Sequence, residues 1–171
     1  MALQIREATP ADADALGGIH VRAWQSAYRG QLSDDYLDGL SVQDRAEQWR
    51  GSLTEQRETW RTWVAEEEGR VAGWATTGPS EDADADDQIA ELYAIYLEPD
   101  RVGTGVGRNL FEHAVGDLRE RGFRAATLWV LETNEQARRF YEIAGWKPDG
   151  TVTNERVDCE MRPTVRYRTD L

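Results

Sequence analysis

Apolar residues recur four apart at Val106, Leu110, Ala114 and Leu118, with a second row at Phe111 and Val115. That is the stripe of an amphipathic helix, and Gly122 marks its end. Upstream the pattern changes. Leu92-Tyr93-Ala94-Ile95-Tyr96-Leu97 is β-favouring throughout, so a strand is predicted from Ala90 to Glu98. Pro99, which cannot donate to a sheet ladder, closes the strand, and a turn follows to Val102.

The same reading extends along the chain. Leu3 to Arg6 alternates as a short strand, and Thr9-Pro10 opens a helix that runs to about Tyr28 and stops at Gly30. A second helical region spans roughly Ser33 to Leu53, broken near Gly39. Thr59 to Glu66 and Val71 to Thr77 read as a hairpin turning at Glu67-Glu68-Gly69-Arg70. Ala125 to Leu131 is an apolar strand, and Thr133-Asn134-Glu135 opens a last helix carrying Ala137, Phe140, Tyr141 and Ala144 on one face. Gly145 terminates it, and the chain is β-like from Trp146, ending in Thr164 to Arg168. The order is β-α-α-β-β-β-α-β-α-β-β, with no internal repeat or linker.

Composition narrows the function. The 171 residues are 40% hydrophobic with seven Trp and six Tyr, enough for one domain with a core. A net charge of −12 and the lack of a basic stripe exclude nucleic-acid binding as an expectation. Five carboxylates crowd the seven residues from Glu81 to Asp87, which predicts a solvated, disordered hairpin loop. The functional alternative is a fence that attracts a cationic substrate. Cys159 is the sole cysteine, and His20 and His113 complete no ligand spacing, so no metal is implied. His113 lies off the apolar rows of its helix and is expected at the surface. The N-terminus shows no apolar leader and no run approaches a membrane span, so a cytoplasmic protein is expected.

The candidate chemistry sits between the central strand and its helix. Gly103, Gly105 and Gly107 alternate there, so no Cβ separates the backbone from an approaching ligand, and the helix start adds free N–H groups and a positive dipole end. Together these make an anion site, most suited to phosphates; a tight turn with no ligand is the alternative. The only lysine is Lys147, which excludes a Walker loop. The Gly-x-Gly-x-Gly spacing, past mid-chain, does not fit a dinucleotide fingerprint or a nicotinamide-dependent oxidoreductase.

The segment Leu97 to Arg108 resembles the acyl-CoA loop of the GNAT acetyltransferase superfamily, (Gln/Arg)-x-x-Gly-x-(Gly/Ala) after a strand. Gly105 and Gly107 match its last two positions, and Val102, beside Arg101, stands where the family has Gln or Arg. Asn134 to Trp146 resembles the family's Asn-x-x-Ala-x-x-Phe-Tyr-x-x-x-Gly-(Phe/Trp) segment. His20 to Gly30 resembles a bacterial and archaeal subgroup whose first helix walls the acceptor site. The resemblance implies an α/β (α+β) GNAT fold over residues 1–171. Its sheet would be mixed and mostly antiparallel, of about seven strands flanked by about four helices.

It further implies an N-acetyltransferase that moves the acetyl group of acetyl-CoA to a small-molecule or peptide amine in a ternary complex, and a possible homodimer paired through the C-terminal strands. A non-catalytic acyl-CoA sensor is the alternative. On the family pattern the main chain of Ile95, Tyr96 and Leu97 would carry pantetheine. Val102, Gly103, Thr104, Gly105, Val106 and Gly107 would cradle pyrophosphate with Arg108 close by, and Arg101, Arg138 and Arg139 lie in or near the segments assigned to CoA. Asn134 would bond the pantetheine arm or cap its helix. Glu91 would be the base that deprotonates the amine, or an ordinary strand carboxylate. Tyr141 would protonate the departing thiolate, or be a core tyrosine. Trp24 and Tyr28 would line the acceptor pocket, or form a core stripe.

Overall fold

The computed structural model describes residues 2–55 and 57–171. Seven strands form one sheet in the order β1-β2-β3-β4-β5-β7-β6: β1 Gln4–Glu7, β2 Arg61–Glu67, β3 Arg70–Pro79, β4 Ile89–Leu97, β5 Ala125–Leu131, β6 Lys147–Val157 and β7 Glu160–Asp170. Among the described strands only β4 and β5 pair in parallel. Five α-helices flank the sheet: α1 Ala13–Tyr28, α2 Asp34–Asp38, α3 Val42–Glu55, α4 Val106–Glu120 and α5 Glu135–Ile143. This is the expected α/β architecture with one helix more, because the Ser33–Leu53 region divides. Ser33 caps α2 by accepting from the Tyr36 amide, Gly39 closes it, and Ser41 accepts from the Asp44 amide to start α3.

α4 buries the stripe its sequence predicts. Val106, Leu110, Phe111, Ala114, Val115 and Leu118 are all buried against β2, β3 and β4. Leu110 is fully enclosed, so Leu110→Ala would cost about 2–5 kcal/mol. α5 is less submerged than its sequence suggests. Tyr141 is buried, Ala137 and Phe140 are half-buried, and Ala144 is exposed.

Two features of β4 shape the molecule. β4 opposes Thr76 with Ala94 and Thr77 with Leu92, so Tyr93 is an extra, bulged residue. The bulge switches which face successive side chains take. Leu92 packs with the α4 core before it, and Ile95 and Leu97 do so after it. Second, β4 pairs with β5 only from Ile89 to Glu91, opposite Ala125 to Thr127. Beyond that point β4 continues along β3 while β5 continues along β7. The sheet therefore opens into a cleft between two strands that begin as neighbours.

The acidic run departs from the expected disordered loop. Asp82 and Asp84 bond the buried Arg166 of β7, and Asp82 also accepts from Trp129 Nε1. A buried guanidinium offers those carboxylates more than solvent does, and this fixes the loop.

Candidate functional site

The opening between β4 and β5 is a cleft of about 1150 Å³. Its β4 wall exposes main chain. The Glu98 amide donates to Ala72 of β3 at 2.8 Å, so by strand alternation Tyr96 and Ala94 also direct main-chain groups to β3. Ile95 and Leu97 then direct theirs into the cleft, where no strand pairs them. The Tyr96 side chain also reaches the cleft, with its hydroxyl accepting from Trp24 Nε1 at 2.9 Å.

At one end lies the glycine loop. Gly103 and Gly105 have φ of +80° and +93°, a conformation that side chains disfavour. Gly107 is required for a different reason: a Cβ there would lie 2.8 Å from Leu97 Cδ1. Gly105 is the N-cap of α4, and no side chain caps that end. Two of the amides expected to cradle an anion are already used. Val102 donates to Pro99 and Thr104 to Arg101, leaving Gly103, Gly105, Val106 and Gly107 for a ligand. The cationic side chains are partly committed as well. Arg108 pairs with Glu112, Arg101 with Glu67, and Arg138 donates to the Tyr167 hydroxyl. The turn before the loop is anchored by Glu98, which the Arg22 guanidinium holds in a two-bond pair and below the usual carboxylate range.

The middle of the cleft brings together Tyr28, Asn134 and Tyr141. Asn134 Oδ1 accepts from the Ala137 amide at 3.2 Å, capping α5, while its Nδ2 donates to the Tyr28 hydroxyl at 3.0 Å. Burial pushes the Tyr28 phenol up to about 12. Tyr141, 8% exposed, lines the same cleft; burial raises its phenol above 10, and its hydroxyl meets no partner among the described residues. It is thus protonated at neutral pH and free to donate.

Glu91 is placed one layer back. It is buried, does not line the cleft, and accepts from Ser80 Oγ at 3.3 Å. Burial, and then the nearby Asp82, push its carboxyl up to about 7. A carboxylate poised there exchanges protons readily at neutral pH.

The far end holds Trp129, Thr151 and Arg166, which the linear sequence did not point to, together with Asp82 and Asp84 of the acidic run. They come from four separate stretches: β7 pairs with both β5 and β6, and the loop after β3 bonds to Arg166. β7 carries Arg162, Arg166 and Arg168, and nothing in the linear sequence singles out Arg166 among them. His113 is exposed as expected and stacks edge-on with Trp63. Among the described residues no group of three His, Cys, Asp or Glu is placed to hold a metal ion, and no helix is long and apolar enough to cross a membrane.

The family model described as "Acetyltransferase (GNAT) family" matches residues 21–146, from α1 through the glycine loop to the end of α5. The chain belongs to the GNAT family. It is an acyltransferase, and the relatives it matches are named N-acetyltransferases. The uncharacterized N-acetyltransferase YuaI of Bacillus subtilis is 32% identical over 76% of this chain and 72% of its own length. The probable N-acetyltransferase Rv2775 of Mycobacterium tuberculosis is 30% identical over 97% of this chain and 92% of its own. Among solved structures, the PaiA N-acetyltransferase of Thermoplasma acidophilum in complex with coenzyme A aligns over 100% of both chains. Its TM-score is 0.74 at 19% identity, a likeness of fold.

Proposed function

We propose that residues 1–171 form one GNAT N-acetyltransferase domain that transfers the acetyl group of acetyl-CoA to a primary amine by direct attack in a ternary complex. The observation that carries this reading is a single cleft. It joins unpaired β4 main chain and a glycine-capped helix start to a buried tyrosine whose hydroxyl opens into the cleft with no partner among the described residues.

The donor supplies an acetyl thioester whose C–S bond breaks as the new C–N bond forms. The free main-chain groups of Ile95 and Leu97 hold the pantetheine arm as an added strand, and the amides of Gly103, Gly105, Val106 and Gly107 hold the pyrophosphate. An alkyl ammonium with a pKa of about 10 is roughly one part in a thousand neutral at pH 7, so its proton must be removed. Glu91, pushed up to about 7 by burial, takes that proton through water, since it stands behind the cleft rather than in it. Tyr141 gives its phenolic proton to the departing sulfur. The mutual placement of an acid and a base with separated ionisation favours turnover over a sensor that only binds. Trp24 and Tyr28 wall the acceptor side.

Steady-state kinetics with both substrates varied test the reading. Intersecting double-reciprocal lines and no thiol release without amine are expected. Parallel lines, or thiol release that ignores the amine, would overturn direct attack.

A further inference from the structure

The cleft end away from the glycine loop is built on one cation. Arg166 stands on β7 opposite Trp129 of β5, with 8% of its side chain exposed and its guanidinium 5.5 Å over the Trp129 ring. A guanidinium has five N–H donors, and here all five are used. Nε donates to Asp149 Oδ2 at 2.6 Å. Nη1 donates to Asp82 Oδ2 at 3.1 Å and to Asp84 Oδ1 at 2.7 Å. Nη2 donates to Asp84 Oδ2 at 2.8 Å and to Thr151 Oγ1 at 3.1 Å. An irregularity in β6 between Pro148 and Val152 presents Asp149 and Thr151 for this purpose.

Two consequences follow for a ligand. Arg166 has no donor left for a carboxylate or phosphate, and the only other cation lining the cleft among the described residues is Arg108, at the glycine-loop end. One positive charge also faces three aspartates, so this wall is net negative, with Glu155 on the same lining. The cleft it closes is built for a ligand, because Tyr141, a residue nine-tenths buried, opens its hydroxyl into it with no partner among the described residues. An acceptor bringing an anion here would surrender its hydration without gaining a guanidinium hydrogen bond and would meet like charge.

We propose that the cleft takes amines with no carboxylate or phosphate near the reacting nitrogen, and that the saturated Arg166 cluster is the specificity device that rejects those that have one. The inference rests on the N-acetyltransferase reading and names its substrate class. Discrimination here comes from a built-in repulsion rather than from an added contact.

The test uses matched pairs that differ by one α-carboxylate: tyramine against tyrosine, and agmatine against arginine, each at saturating acetyl-CoA. For both pairs kcat/KM is expected to be at least about tenfold higher for the amine than for the amino acid, a difference of about 1.4 kcal/mol. Asp84→Ala, at a side chain 63% exposed, frees guanidinium donors and removes one charge, so it should bring the ratio toward one. Equal or reversed preference in the wild-type enzyme, or an unchanged ratio in Asp84→Ala, would overturn the inference. Should none of the four be turned over, their binding to the CoA-loaded protein is read by tryptophan fluorescence. The same order is then required, and equal binding or none overturns the inference. Failure of acetyl-CoA itself to bind is a separate result, which removes the acetyltransferase reading and this inference with it.

Discussion

Replacing Tyr141 by Phe removes one oxygen and little else. The ring stays packed against Phe111, Phe140 and Tyr167. The lost hydroxyl makes no hydrogen bond among the described residues, so no protein partner is orphaned. A buried hydroxyl without a protein partner carries a desolvation cost of about 1–3 kcal/mol. Part of that is offset here because the hydroxyl opens to the cleft, and the variant should be as stable as the wild type or up to about 1 kcal/mol more so. For a chain of this size that is a rise of about 2–4 °C in Tm at most. Catalysis should respond differently. Loss of a positioned general acid lowers turnover about 10²–10⁴-fold, or about 3–5 kcal/mol in barrier. The KM for acetyl-CoA should hold within about twofold, because in the proposed mode other residues hold pantetheine and pyrophosphate. An acetyl donor whose leaving group needs no proton at neutral pH should recover much of the lost rate. Thermal melts and free-thiol release measure both halves. Turnover unchanged in Tyr141→Phe, or a deficit that persists in full with the activated donor, would refute the role of Tyr141 as acid.

Two other changes probe the cleft independently. Glu91→Gln keeps the Ser80 bond but cannot take a proton: the wild-type rate should rise with pH to a plateau with its midpoint near 7, and the variant should show no break there. The same substitution reads stability. A carboxyl raised from 4.5 to about 7 in the fold costs least below 4.5, destabilises increasingly as pH rises from 4.5 to 7, and costs a constant amount above that. Glu91→Gln should therefore gain more in Tm over the wild type at pH 8 than at pH 5, and equal gains would contradict the buried carboxyl. Asn134→Ala removes the α5 cap and the bond to Tyr28, so it should lose about 1–2 kcal/mol by denaturant unfolding, and no loss would show the cap to be dispensable.

What could be read in advance follows the range of the forces involved. α4 was legible because a helical stripe is a local pattern, and the glycine loop because left-handed backbone and close approach both demand glycine locally. Asn134 and Tyr141 were singled out by the resemblance of one segment to the family's, and both line the cleft. The division of the Ser33–Leu53 region turned on Gly39 and two serine caps, a matter of a few residues. The Asp82–Arg166 bonds were beyond reach, since 84 residues separate partners that meet only because β7 lies beside β5. Without that cation in view, repulsion among the carboxylates argued for disorder. The position of Glu91 behind the cleft, and the bulge at Tyr93 that reassigns the faces of β4, likewise depend on neighbouring strands.

The central claim is that the glycine loop and the β4–β5 cleft bind acetyl-CoA, and calorimetry on three proteins tests it most directly. Gly105 has φ of +93° with open space where a Cβ would be, so Gly105→Ala measures the backbone strain alone, about 1–2 kcal/mol. Gly105→Glu adds a carboxylate at the helix start where the pyrophosphate would lie. Micromolar binding by the wild type, kept in weakened form by Gly105→Ala and lost in a still-folded Gly105→Glu, is the predicted result. A wild type that takes up no acetyl-CoA, or a Gly105→Glu protein that binds as well as Gly105→Ala, would contradict it.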